Sequence, residues 1–236
     1  MATEHRKGIF VNQLTQTDSS QAIPATTELE SFGPKENVYS RYFKRLFDIL
    51  FAVSGLVVCG IPMLIVALLV RLTSPGSALF CQLRAGRKGK MFVLFKFRSM
   101  YIEAPEKANK DFTPEARTQY ITRIGKFLRK TSIDELPQMI NVLKGEMSFI
   151  GPRPLARTDE IVLKLRAESG ADRVRPGISG LAQVNGRNEI SDEVKAKWDA
   201  DYAQNCTLIE DLKIVVRTLS EVVKQRGINK SDTRKH

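Results

Sequence analysis

The chain has 236 residues, room for one domain of ordinary size plus an anchor or tail, and a formal charge of +11 that asks for an anionic partner. Its two histidines, His5 and His236, lie in the terminal segments, which argues against a Ser-His-Asp triad, a Cys-His pair or a His-ligated metal. Three cysteines, Cys59, Cys81 and Cys206, have no CxxC spacing, so a disulfide framework or zinc site is not expected and a reducing compartment fits.

Residues 1–40 are rich in Thr, Ser, Gln and Glu with little apolar periodicity, and read as a disordered tail. No apolar run follows His5-Arg6-Lys7, so they do not make a signal peptide. Residues 41–72 read as a membrane anchor. Their uncharged apolar run extends from Ile49 to Val70, bracketed by Asp48 and Arg71. As one straight helix these 22 residues would span ~33 Å, enough for a ~30 Å hydrocarbon core. Pro62, beside Gly60, sits inside the run, where proline removes a hydrogen bond and kinks a helix. Each arm is then too short to cross. Basic residues stand at both ends, Arg41, Lys44 and Arg45 before and Arg71, Arg84 and Arg87 after, without the asymmetry of a spanning helix. A re-entrant helix-break-helix is expected, with a single transmembrane helix as the alternative. Lys44 and Arg45 stand four and three residues before Asp48, and are expected to pair with it.

Residues 73–227 read as a small α/β domain, a helix-rich α+β fold, with a C-terminal tail at 228–236. The alternation of residues 91–98 predicts a strand with Phe92, Leu94, Lys96 and Arg98 on one face. Two cations emerging side by side could hold a phosphate, or could simply reach solvent. A short basic helix follows at 123–130. Then comes Thr131-Ser132-Ile133-Asp134-Glu135-Leu136-Pro137, where Ser132 and Glu135 have capping-box spacing and the proline needs a first turn. A new helix is expected to begin near Asp134-Glu135. The two carboxylates either complement that helix dipole or mark a phosphoryl site. In the second case one would stay ionised and attack phosphorus while the other holds a metal ion, for which magnesium is suited. Gly151-Pro152-Arg153-Pro154 presents one guanidinium from a rigid backbone, apt for phosphate. Glycines and the cations Arg173, Arg175 and Arg187 make a third cluster at 173–188. In a final helix at about 207–226, Ile209, Leu212, Val216, Leu219 and Val223 form a stripe expected to pack in a core or interface.

Together, in this order, KRLFD (44–48), the proline-broken apolar run, FKFRSM (95–100), LRKTSIDELPQMINVLKGEMSFIGPRP (128–154), RPGISGLAQVNGRN (175–188) and DADYAQN (199–205) resemble the bacterial sugar transferase family, the monotopic polyprenyl-phosphate phosphoglycosyl transferases. The resemblance runs from about Tyr42 to Gly227. It implies a re-entrant anchor among the lipids of the bacterial inner membrane, on the cytoplasmic face, and magnesium-dependent ping-pong transfer. Asp134 would attack the β-phosphate of a UDP-sugar, release UMP and hold the phosphosugar until undecaprenyl phosphate takes it, an initiating step of surface glycan synthesis. Glu135 would hold Mg2+. Arg129 and Arg153 would lead the phosphate contacts, with Lys96, Arg98, Arg175, Gln183, Arg187 and Asp199 as further substrate-binding positions. Two positions depart from the family pattern. Ile61 stands where serine often precedes the proline, and Leu181 where tryptophan is frequent. A minimal form without the multi-span region of larger relatives is expected.

A nucleic-acid binder would not need an uncharged 22-residue run, and the basic blocks hold few aromatics for stacking. The stronger rival is a non-catalytic membrane- or lipid-binding protein. It would leave Asp134-Glu135 and the Gly-Pro-Arg-Pro loop without a task.

Overall fold

The computed structural model describes residues 37–104, 119–186 and 190–223. Residues 1–36 of the expected N-terminal tail, the expected tail at 228–236, and Arg187 lie outside the described residues.

A π-helical turn, Tyr39–Phe43, leads directly into α1, Lys44–Thr73. Residues 37–40, expected in the tail, are therefore structured: Asn37 donates to the Cys206 carbonyl at 2.8 Å and the Tyr39 hydroxyl to Asp211 at 2.6 Å. The helix runs through Pro62 without interruption, so the expected helix-break-helix is absent from the secondary structure. Proline deprives one preceding carbonyl of its partner and kinks a helix, which is less than a break. Cys59 and Met63, on either side of Pro62, both pack on the domain, which holds the two arms against one surface.

That docking continues along the whole helix. Near its start Arg45 donates to the carbonyls of Val142 and Leu143, and Asp48 accepts from the Ser148 hydroxyl and the Phe149 amide, each at 3.0 Å. Ala52 and Val70 are core residues, and just past the end Arg98 donates to the carbonyls of Ser74 and Pro75. The opposite face carries Val57, Ile61, Leu64, Leu68 and Leu72, all exposed. Tyr39–Thr73 together form a 35-residue helical stretch whose most apolar 18-residue window has a mean hydropathy of 2.7, long and apolar enough to cross a membrane.

The expected pairing of Lys44 and Arg45 with Asp48 is not formed. Lys44 bonds Asp211 at 2.5 Å, because tertiary partners from the far end of the chain lie closer than the next turn of its own helix.

The globular part is helix-rich α+β. Strands β1 (Leu79–Ala85) and β2 (Met91–Phe97) form an antiparallel hairpin, with Phe80 opposite Lys96 and Arg84 opposite Phe92. Helix α2 (Arg123–Thr131) is capped by Thr122, whose hydroxyl accepts from the Gly125 amide. Helix α3 (Gln138–Lys144) and strand β3 (Ser148–Ile150) follow, then α4 (Glu160–Ser169), β4 (Gly177–Ser179), α5 (Leu181–Val184), α6 (Asp192–Gln204) and α7 (Leu208–Val223). Strands β3 and β4 pair in parallel. Their approach requires glycine: a Cβ on Gly177 would lie 2.1 Å from the Gly151 amide nitrogen, and one on Gly180 2.1 Å from the Gly151 carbonyl.

One core cluster joins Ala52 of α1 to Phe92, Leu94, Met139, Val142 and Met147, and another joins Val70 to Phe97 and Leu128. The third gathers Ile150, Leu181, Tyr202, Cys206 and Ile214. In α7 the expected packing stripe faces outwards: Ile209, Leu212, Val216 and Leu219 are exposed, and the side chain of Val223 lies outside the description. Asp211, Ile214 and Thr218 face inwards instead, held by bonds to Tyr39, Lys44 and Ser179. Ile214 packs in the core between polar anchors at Asp211 and Thr218, so the stripe is not the core face of this domain.

Candidate active site

Asp134 and Glu135 end a 3-10 turn, Ile133–Glu135, wedged between α2 and α3. The turn exists because Ser132 adopts a left-handed conformation (φ 56°) that stops α2, while Pro137 stands directly before α3. Helix α3 therefore starts three residues later than expected, and the dyad lies ahead of it rather than in its first turn. The capping box is not made, since the Ser132 side chain caps nothing and Glu135 turns to Lys96. Ile133 packs with Val70, Phe97 and Leu128, which anchors the dyad against the C-terminal half of α1.

Cations ring the two carboxylates. Lys96, at the end of β2, donates to Glu135 Oε1 at 2.8 Å, and Arg153 approaches the same oxygen at 3.7 Å. Arg129, in the last turn of α2, is steadied by a 2.8 Å bond from its Nε to the Ser99 hydroxyl. Burial and the neighbouring Glu135 charge push the Asp134 carboxyl up to about 6, against the pull of Lys96 and Arg129. The direction is opposite to a carboxylate held down by amides, yet Asp134 is still largely ionised at neutral pH. Burial lowers the Lys96 ammonium, while Glu135 opposes that shift.

Other expected positions make bonds within the fold. Arg98 does not stand beside Lys96. The chain turns after Phe97, and the guanidinium is buried against Ser74 and Pro75. Asp199 is buried in an ion pair with Arg166 of α4, at 2.6 Å. Arg175 donates to the Gly145 carbonyl and Gln183 to the Ile178 carbonyl, both bonds within the fold. Arg84 escaped attention because it reads as one more flanking cation. The hairpin register puts it on the Lys96 face of the sheet, and burial and Arg153 both depress its guanidinium. A half-buried arginine repelled by a second one, with Asp159 opposing the shift, adds to the positive potential on this face.

Among the described residues no group of three or more His, Cys, Asp or Glu side chains could hold a metal ion. Two adjacent carboxylates do suit a magnesium ion completed by substrate phosphates, and the mutual repulsion that raises Asp134 is what a cation would relieve.

The family model described as bacterial sugar transferase matches residues 39–225. An uncharacterized sugar transferase of Bacillus subtilis, EpsL, is 41% identical over 189 residues, 80% of this chain and 91% of that protein. The UDP-glucose:undecaprenyl-phosphate glucose-1-phosphate transferase of Caulobacter vibrioides is 38% identical over 81% of this chain and 73% of its own length. The undecaprenyl-phosphate galactose phosphotransferase of Salmonella typhimurium is 36% identical over 80% of this chain, which spans only 42% of that longer relative.

Proposed function

We propose, since this chain belongs to the bacterial sugar transferase family, that it moves a phosphosugar from a UDP-sugar onto undecaprenyl phosphate and so begins a surface glycan. The observation that carries this reading is the Asp134-Glu135 dyad, ringed by Lys96, Arg129 and Arg153 and seated on the apolar helix through Ile133. A nucleophile, phosphate grips and a lipid-facing element meet in one place.

In the first half-reaction an Asp134 carboxylate oxygen attacks the β-phosphorus. A new oxygen–phosphorus bond forms, the bond from the β-phosphorus to the bridging oxygen breaks, and UMP departs with that oxygen and its electron pair. Arg129 and Arg153 spread the charge that builds on the phosphoryl oxygens. Lys96 holds Glu135 in place beside the attacked group. In the second half-reaction an oxygen of the lipid phosphate attacks the same phosphorus and Asp134 leaves as carboxylate. Glu135, with Asp134 and the donor's phosphates, would hold Mg2+, which would neutralise phosphate charge.

The packing of α1 supports the proposed anchor. One water-facing domain holds α1 near its start through Arg45 and packs on it as far as Val70, so both ends belong on one side of the membrane. The exposed Val57-to-Leu72 face meets lipid, and the domain lies on the cytoplasmic face of the inner membrane, where nucleotide sugars are made.

Purified protein given UDP-glucose or UDP-galactose and magnesium, without lipid acceptor, tests the mechanism. It should release up to one UMP per active site and carry the phosphosugar on the peptide containing Asp134. An absent burst alongside full turnover with acceptor would mean direct transfer and sink the covalent route.

A further inference from the structure

We propose that the buried Arg166–Asp199 pair is a positioning device for Arg153. Asp199 projects from α6 with only 1% of its side chain exposed, and its Oδ2 accepts from Arg166 Nε at 2.8 Å and Nη2 at 2.6 Å. The remaining terminal nitrogen of Arg166, Nη1, donates to the Arg153 carbonyl at 2.9 Å. Asp199 thus orients a guanidinium whose far side grips the loop that presents Arg153 to Glu135.

That loop is tied at successive carbonyls. Pro152 accepts from the Gly177 amide at 2.9 Å and Leu155 from the Ala85 amide at 2.8 Å. Between them only the Arg153 carbonyl is held by a side chain. The rings of Pro152 and Pro154 fix their own φ, and Pro154 confines Arg153 to extended conformations. The widest freedom left is in the Arg153 φ, and the Arg166 bond to its carbonyl limits that rotation. This sets the direction in which the Arg153 side chain, 46% exposed, leaves the backbone.

Stability alone is a weak reason for such a pair, because a buried ion pair is often matched or bettered by apolar residues of similar volume. An apolar pair cannot aim a hydrogen bond at a chosen carbonyl. Asp199 is also too enclosed to touch a substrate itself, so whatever it contributes passes through Arg166.

The inference rests on the phosphosugar-transfer reading. Wild-type UMP release checks that reading separately, since no release at all would remove it before any variant is compared. Three changes are then measured by initial UMP release against donor concentration: Arg153→Ala, Asp199→Asn, and the apolar replacement Arg166→Met with Asp199→Leu. The apolar pair should keep its thermal transition within a few degrees of wild type while kcat/KM falls about 10–100-fold, the scale of a misplaced contact group. In an Arg153→Ala background, Asp199→Asn and the apolar pair should each cost less than about threefold more, because the group they aim is gone. Wild-type rates in the apolar pair, or losses that multiply with Arg153→Ala, would overturn the proposal. So would failure of both altered pairs to fold, which would leave the pair a purely structural element.

Discussion

Asp134 carries both its reactivity and its instability in one environment. Its carboxyl is raised to about 6 by burial and by Glu135, so the donor half-reaction should lose rate about tenfold per pH unit below about 6 as the nucleophile protonates. A flat profile of UMP release from pH 5 to 8 would remove Asp134 as the attacking group. The same shift has a stability sign. A carboxyl raised on folding binds its proton more tightly in the folded state, so stability falls as pH rises from about 4 through about 6. Asp134→Asn should therefore abolish turnover yet melt higher than wild type in metal-free buffer at pH 8. Discounted for partial exposure, the gain is about 1–2 kcal/mol. Glu135→Gln, which keeps size but not charge, should lose about 100-fold or more in rate. At this scale the sequence was legible wherever neighbours in the chain are neighbours in space: Asp134, Glu135 and the Gly-Pro-Arg-Pro loop announce themselves by spacing. The burial of Arg98 and Asp199 was not legible, because a charged side chain reads as exposed until its buried partners, Ser74 and Arg166, are known.

Among the elements, β2 follows from its alternation and α2 from its short basic run. The reversal of α7 does not. Its apolar stripe is plain in the sequence, but which face turns inwards depends on Asp211, bound by Tyr39 and Lys44 from the far end of the chain and by Tyr202 of the preceding helix. Asp211→Ala should cost about 3–5 kcal/mol by stranding the Lys44 ammonium in a partly buried site, read as a loss in denaturant midpoint. Asp211→Ala melting like wild type would show the cluster to be incidental. The start of α2 is equally demanding. A Cβ on Gly125 would sit 2.0 Å from the Ser99 carbonyl oxygen, so Gly125→Ala must separate α2 from the end of β2. It should destabilise by about 1–3 kcal/mol and also weaken the donor half-reaction, because Ser99 steadies Arg129. Normal donor kinetics in a folded Gly125→Ala would disconnect that contact from catalysis.

For the whole molecule, the question is how a 35-residue apolar stretch sits in a bilayer. Pro62 and the basic residues at both flanks pointed to a break; the structure instead has one continuous helix packed on its domain along one face. The proposed anchor, with both ends on one side, has a direct test. Single cysteines at Asn37 and Ser77, in a chain whose own Cys59, Cys81 and Cys206 are replaced, should both resist a membrane-impermeant thiol reagent outside the cell. Labelling at Asn37 alone would restore a spanning helix. The docking also fixes an order of events during synthesis. Residues 45–52 leave the ribosome before partners that cover them, Met139, Val142 and Ser148, some 90–100 residues later. At roughly 5–20 residues per second, that is a wait on the order of 5–20 s. Through it Asp48 and the cationic end of α1 have no protein surface to rest on. In the proposed anchor the bilayer holds the unfinished helix, and lipid serves first as a folding template and only afterwards as the place of transfer.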